Sequence, residues 1–192
     1  MKNLVNSVFR EHLNLVQSLL EGESAKILSR MADIIVKALQ KGNKVIFFGN
    51  GGSAADSQHL AAEFVGRFQK ERKALPAISL TVNTSHMTAI ANDYSFDIIF
   101  ERQIEALAKT GDVSLGISTS GGSKNVIRAQ EKAKAMGLKT LAFIGEKKSP
   151  LEDLCDAVFK VPSPNTARVQ ECHILAGHIL CLLVESTLFG DE

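Results

Sequence analysis

The chain contains no tryptophan and a single tyrosine, Tyr94. The aromatic platforms on which single-stranded nucleic acids stack are therefore poorly supplied. It also lacks a charge excess: 22 Lys and Arg against 21 Asp and Glu leave a formal +1. No basic field argues for nucleic acid, and no acidic tail argues for a basic partner. Cysteine is scarce. Cys155, Cys172 and Cys181 are odd in number and show no CxxC spacing, which argues against a disulfide scaffold and for a reducing cytoplasm. Long apolar runs are missing too. The N-terminus, Met1-Lys2-Asn3-Leu4, has no signal core, and the run Ile179 to Val184 is far too short to span a bilayer. The expectation is a cytoplasmic protein with no membrane and no nucleic-acid partner.

What is present is ordinary globular material: 192 residues, 45% apolar and 22% charged. That suffices for one well-buried domain over residues 1–192 and is short for two. Helical spacing of apolar residues runs over residues 2–20, and again from Ile27 to Leu39, with Ser24 as the expected cap and Gly42 as the stop. Short apolar runs then alternate with helical stretches. Lys44–Phe48, Ala77–Leu80, Val113–Ile117, Thr140–Ile144 and Ala157–Val161 read as five strands. A helix from Thr84 to Ile90, one ending near Met136 and a long apolar one over Arg168–Leu188 complete the pattern. Strands alternating with helices predict an α/β fold, a parallel sheet with helices on both faces. The N-terminal helices over residues 1–42 and the last helix exceed what one sheet needs, so their extra apolar faces predict a subunit interface.

Open parallel sheets bind ligands at the carboxyl ends of their strands. Two loops leave such ends here. In Gly49-Asn50-Gly51-Gly52-Ser53, glycine lets the backbone approach a ligand and Ser53 begins a helix. In Ser118-Thr119-Ser120-Gly121-Gly122-Ser123, four hydroxyls precede a helix, whose N-terminus carries a partial positive charge of about half a unit. A phosphate suits the second loop better. Neither loop is a Walker A sequence or a GxGxxG fingerprint.

His59 and Glu63 lie four apart on the helix after the first loop. They share a face, as two ligands of one metal, a base with its orienting partner, or a surface pair. Gln170 and His178 are eight apart on the last helix, about 12 Å of rise. Either a ligand sits between them, or one of the two serves a neighbouring subunit. His173 lies on another side and reads as a packing histidine. Asn92-Asp93 could bind sugar hydroxyls or simply end a helix. Arg67 could hold an anion or be a solvated charge, and His12 and His86 have no assigned role.

Taken together, Phe48–Glu63, Thr88–Asp93, Gly111 to Gly121 and Ala167–Glu171 with His173 and His178 resemble the sugar isomerase (SIS) domains, the bacterial phosphoheptose isomerases among them. The resemblance implies a flavodoxin-like three-layer fold with a five-stranded parallel sheet. It also implies a homotetramer with active sites at subunit boundaries, and one Zn2+ per subunit. The activity implied is conversion of sedoheptulose 7-phosphate to D-glycero-D-manno-heptose 7-phosphate through an enediol, for lipopolysaccharide heptose. Carried over by position, Ser118, Thr119, Ser120 and Ser123 match the phosphate loop. Asn50, Gly51, Gly52, Ser53, Asn92, Asp93 and Gln170 match further substrate contacts, with Glu63 beside them. Glu63 and His178 match the acid/base pair, and His59, Glu63, Gln170 and His178 the zinc ligands. Val82-Asn83 and the segment Gly145 to Leu151 depart from the family pattern. Two other readings stand beside this one: a SIS isomerase of another sugar phosphate, and a non-catalytic SIS protein that binds a replication-initiator partner.

Overall fold

The computed structural model describes residues 1–190; Asp191 and Glu192, the end of the 1–192 domain expectation, lie outside the described residues. The elements are α1 (Lys2–Glu21), α2 (Ser24–Gln40), β1 (Val45–Gly49), α3 (Gly52–Val65), β2 (Ala77–Ser79), α4 (Thr84–Asp93), α5 (Ile99–Leu107), β3 (Val113–Ser118), α6 (Lys124–Ala135), β4 (Lys139–Ile144), α7 (Leu151–Leu154), β5 (Ala157–Lys160) and α8 (Thr166–Phe189).

The five strands pair in parallel in the order β2-β1-β3-β4-β5. This is the flavodoxin-like order, and its direction reverses between β1 and β3. Side chains alternate between the two faces of the sheet, as a period of two requires. Phe47, Leu115, Ile117, Phe143 and Phe159 point to one layer, built with α2, α3 and α8. Ile46, Phe48, Ala142 and Ile144 point to the other, with Phe100 and Ile104 of α5 and Val126 and Ala129 of α6. The predicted α/β sandwich is thus observed, with α1 outermost.

Three local readings are corrected. Ser24 is the first residue of α2 and not its cap; Glu23 holds the cap position, with no side-chain hydrogen bond. α4 runs on to Asp93, and its Asn83 side chain caps it by accepting from the His86 amide at 3.0 Å. α5 was not anticipated. Its buried Ile99, Phe100, Gln103 and Ile104 mark an apolar face only nine residues long, with no glycine or asparagine to announce its end.

α8 spans 24 residues with a mean hydropathy of 1.7 in its most apolar window, so by length and composition it could cross a membrane, although no single apolar run in it is long. Its setting is that of a core helix. It buries Val169, Cys172, Ala176, Leu180, Cys181 and Val184 in the layer shared with α2 and α3, and it also encloses Arg168, His173 and Glu185.

Candidate functional site

β1 and β3 run in register, Phe47 beside Leu115 and Gly49 beside Ile117, so both strands end at one level. The two loops read from sequence therefore leave the sheet side by side at its point of reversal. They are tied together by amides: Asn50 Nδ2 donates to Asn125 Oδ1, and Asn125 Nδ2 donates to Asn50 Oδ1, both at 2.9 Å. Asn125 had no role in the sequence reading. Its place directly after the hydroxyl loop was the available signal.

The second loop gathers its hydroxyls. Ser118 Oγ lies 2.9 Å from Ser123 Oγ and 3.4 Å from Ser120 Oγ, and the Gly122 amide donates to Ser120 Oγ at 3.2 Å. Ser123 stands at the cap of α6 without a capping side-chain bond, so its hydroxyl remains turned into this cluster. The segment that departs from the family pattern braces the loop: Ser149 Oγ donates to the Gly121 carbonyl at 2.6 Å. A ring of hydroxyls at a helix N-terminus offers a phosphate several donors and a favourable dipole.

α3 and α8 pack along a seam. A Cβ on Gly177 would come within 2.5 Å of Leu60 Cδ2, so the glycine lets the Leu60 side chain lie directly on α8. At the head of the seam, a Cβ on Gly52 would lie 2.7 Å from Gln170 Cδ. Gln170 is thus laid over the start of α3, beside the first loop. His178, two turns further along α8, meets His59 instead.

That meeting assembles the reactive groups. His59 Nε2 lies 2.8 Å from His178 Nε2 and 3.3 Å from Glu63 Oε1. Ligand atoms from His59, Glu63 and His178 all fall within 4.8 Å of one another. Two imidazole nitrogens on one tetrahedral zinc stand about 3.4 Å apart, given Zn–N bonds near 2.1 Å, so small side-chain adjustments would admit an ion. Two imidazoles and a carboxylate are also a donor set that zinc favours. The residues present therefore fit the group. His59 is 46% exposed and Glu63 21%, so the cluster opens to solvent on the His59 side while the carboxylate is largely withdrawn from water.

Asp56, one turn before His59, was not singled out from sequence. Burial pushes its carboxyl up to about 6, against the opposing pull of His59, and its Oδ2 is buried with no hydrogen-bond partner. Its i, i+3 relation to His59 was visible, but its enclosure was not.

The remaining candidates make contacts of their own. Asn92 and Asp93 end α4, a helix with no buried residue, and bond to each other at 2.8 Å. Arg67 is exposed and pairs with Glu71. His12 contacts Glu171 at 2.8 Å. His173 is fully buried. Its Nε2 bonds to the Ile144 carbonyl at 3.2 Å, and burial lowers its pKa to about 4. It is a neutral packing side chain.

Comparison with known proteins agrees with this geometry. The profile described as SIS domain matches residues 9–145. A phosphoheptose isomerase of Clostridium acetobutylicum is 49% identical over 193 aligned positions, which cover 100% of this chain and 98% of that protein. One from Aquifex aeolicus is 52% identical, covering 96% of each. The solved phosphoheptose isomerase of Neisseria gonorrhoeae superposes with a TM-score of 0.91 at 38% identity, covering 96% of this chain and 98% of that one.

Proposed function

This chain belongs to the SIS domain family and groups there with the phosphoheptose isomerases, and from that premise we propose that it isomerises sedoheptulose 7-phosphate to D-glycero-D-manno-heptose 7-phosphate. The observation that carries this reading is the convergence of His59, Glu63 and His178 in the α3–α8 seam, with the loop that opens α3 lying beside a hydroxyl-lined helix N-terminus.

An aldose–ketose isomerase must take a proton from one carbon and return one to its neighbour through an enediol. Glu63, with most of its side chain out of water, serves one of these transfers. His178 serves the other. Ser118, Thr119, Ser120 and Ser123 hold the phosphate at the far end of the sugar, which fixes the two reacting carbons without further binding there. Asn50, Gly51, Gly52 and Ser53 supply the further sugar contacts that the family resemblance assigns, with Gln170 folded over Gly52.

His59, Glu63 and His178 would hold a Zn2+, one per subunit. Gln170 stands as the candidate fourth ligand by resemblance, and its position over Gly52 also puts it on the substrate side of the seam. When bound, zinc supplies Lewis-acid polarisation of the sugar carbonyl.

The working assembly we propose is a homotetramer in the cytoplasm that feeds lipopolysaccharide heptose synthesis. α1 exposes Leu4, Val5, Phe9, Leu13 and Leu20, a face that another subunit would cover. α4 presents Asn92 and Asp93 at the surface, consistent with their contributing to a site shared between subunits.

The test is a panel of sugar phosphates offered to zinc-loaded protein. Sedoheptulose 7-phosphate should give aldose, with hexose and aminosugar phosphates turned over far more slowly. Preferred turnover of a hexose phosphate would reassign the substrate, and inertness toward the whole panel would favour a non-catalytic role.

A further inference from the structure

Arg72 and Glu185 form a buried ion pair that the proposed proton transfers do not use. Their side chains are 3% and 2% exposed, and Arg72 Nε lies 2.9 Å from Glu185 Oε1. Burying such a pair is costly unless every donor and acceptor finds a partner. Here they do. The Glu185 carboxylate also accepts the backbone N–H groups of Phe68, Gln69 and Lys70 at 3.2, 2.8 and 3.0 Å. Arg72 donates to the carbonyls of Glu63, Phe64, Gly66 and Lys73 at 2.7, 2.8, 3.2 and 3.1 Å. Burial alone would raise the Glu185 carboxyl, but the three backbone donors and Arg72 outweigh it and hold the group below the usual carboxylate range. Glu185 is therefore a fixed anion around which the chain after α3 is wrapped.

That wrapping has two outputs at the reactive cluster. Arg72 grips the carbonyl of Glu63 itself, at the C-terminal end of α3. The Phe68 ring lies on the imidazole of His178, with centroids 5.6 Å apart and planes tilted by 32°. An apolar pair could fill the space of Arg72 and Glu185 at equal or better stability. A carboxylate that accepts several N–H groups and a forked cation, however, fix the course of an irregular segment through its backbone groups, which an apolar pair cannot do.

We propose that Arg72 and Glu185 are positioning residues for the His59–Glu63–His178 cluster, acting by holding Phe68 against the His178 ring and the last turn of α3 beneath Glu63. The proposal rests on the reading of that cluster as the reactive centre. Residues that orient metal ligands or catalytic groups from behind typically change affinity or activity by about 10- to 100-fold when removed.

The experiment compares Glu185→Gln and Phe68→Leu with the unaltered full-length chain. His178 ring signals are followed by NMR in metal-free protein, with His178→Gln used for assignment. Zn2+ affinity is measured by competition with a chelating dye, and kcat and KM with sedoheptulose 7-phosphate. Glu185 lies seven residues from His178, about 10 Å along α8, so it acts on that ring through Phe68 and through the Arg72-held end of α3 rather than by contact. We expect Glu185→Gln to shift the His178 signals, weaken Zn2+ by ~10-fold and lower kcat by ~10-fold, with KM changed by less than about 2-fold. Phe68→Leu, which leaves the ion pair intact, should show the same loss of Zn2+ affinity. If Glu185→Gln fails to fold, Phe68→Leu decides. Unmoved His178 signals and unchanged Zn2+ affinity in a folded Glu185→Gln, or unchanged Zn2+ affinity in Phe68→Leu, would overturn the proposal. If the unaltered protein neither binds Zn2+ nor turns over the heptose phosphate, the functional reading fails, while the His178 signals still decide whether Glu185 positions that ring.

Discussion

Glu63 and His173 show how little a residue's type says before its surroundings are known. Both lie on helices of one layer, α3 and α8, among apolar neighbours. Glu63 faces His59 and keeps part of its surface in water, whereas His173 is sealed against Phe143 and the Ile144 carbonyl. The first can exchange protons with a ligand and the second cannot. Burial lowers the His173 pKa from an ordinary 6.5 to about 4, so its proton uptake is linked to unfolding. Above pH 6.5 both states are neutral there. As pH falls toward 4 the unfolded chain takes up a proton that the folded chain refuses, which costs about 3 kcal/mol of stability across that window. Denaturant titrations of the native chain and of His173→Leu should therefore converge in stability on acidification, because the variant lacks this loss. Parallel pH profiles would contradict it. The i, i+4 spacing of His59 and Glu63 was legible in sequence because helix geometry makes it local. The roles of Asp56, Arg72 and Glu185 were not, since each depends on enclosure or on partners more than a hundred positions away.

Among the elements, α8 is the one whose reading changed most. Its even apolar character hid which side faced the sheet, and the 12 Å between Gln170 and His178 left two ways to use them. Packing shows what each of them meets in its own chain. α8 runs alongside α3, with Gln170 at Gly52, Gly177 at Leu60 and Glu185 at the segment beyond α3. Both side chains thus face the one seam, Gln170 over Gly52 and His178 against His59. The strands, by contrast, were legible almost to the residue, because a buried parallel strand is a short apolar run and β-branched or aromatic residues mark it. Since Gly177 lies directly against the Leu60 side chain, Gly177→Ala should lower stability by about 1–3 kcal/mol through overpacking. It should also reduce turnover, because the same approach brings His178 to His59. A shift in the chemical-denaturation midpoint together with the kinetics checks this. A variant with native stability and native kinetics would show that the seam can yield freely.

At the scale of the whole molecule, α1 stands out as a helix with one buried residue, Leu15, and an apolar flank in water. Fully covering Leu4, Val5, Phe9, Leu13 and Leu20 is worth on the order of 10 kcal/mol per subunit before the cost of association. Replacing Phe9 and Leu13 by Glu should therefore break the proposed tetramer into smaller species in sedimentation, with folding of the α/β core intact. Unchanged mass would place the subunit interface elsewhere. Sequence periodicity alone suggested an unpartnered face here, but periodicity cannot say what covers it. The same holds for Asn92 and Asp93, exposed at the end of α4 and bonded to each other.

The central claim is that Glu63 and His178 move protons on a heptose phosphate held by the Ser118–Ser123 loop. It is tested most directly by the rate of aldose formation from sedoheptulose 7-phosphate, measured side by side for the unaltered protein, Glu63→Gln and His178→Gln at matched zinc content. The unaltered protein should convert the ketose, and each variant, still folded, should fall by about 10²–10⁴-fold. A folded Glu63→Gln that keeps the full rate, or a zinc-loaded native protein that forms no aldose, would contradict the account.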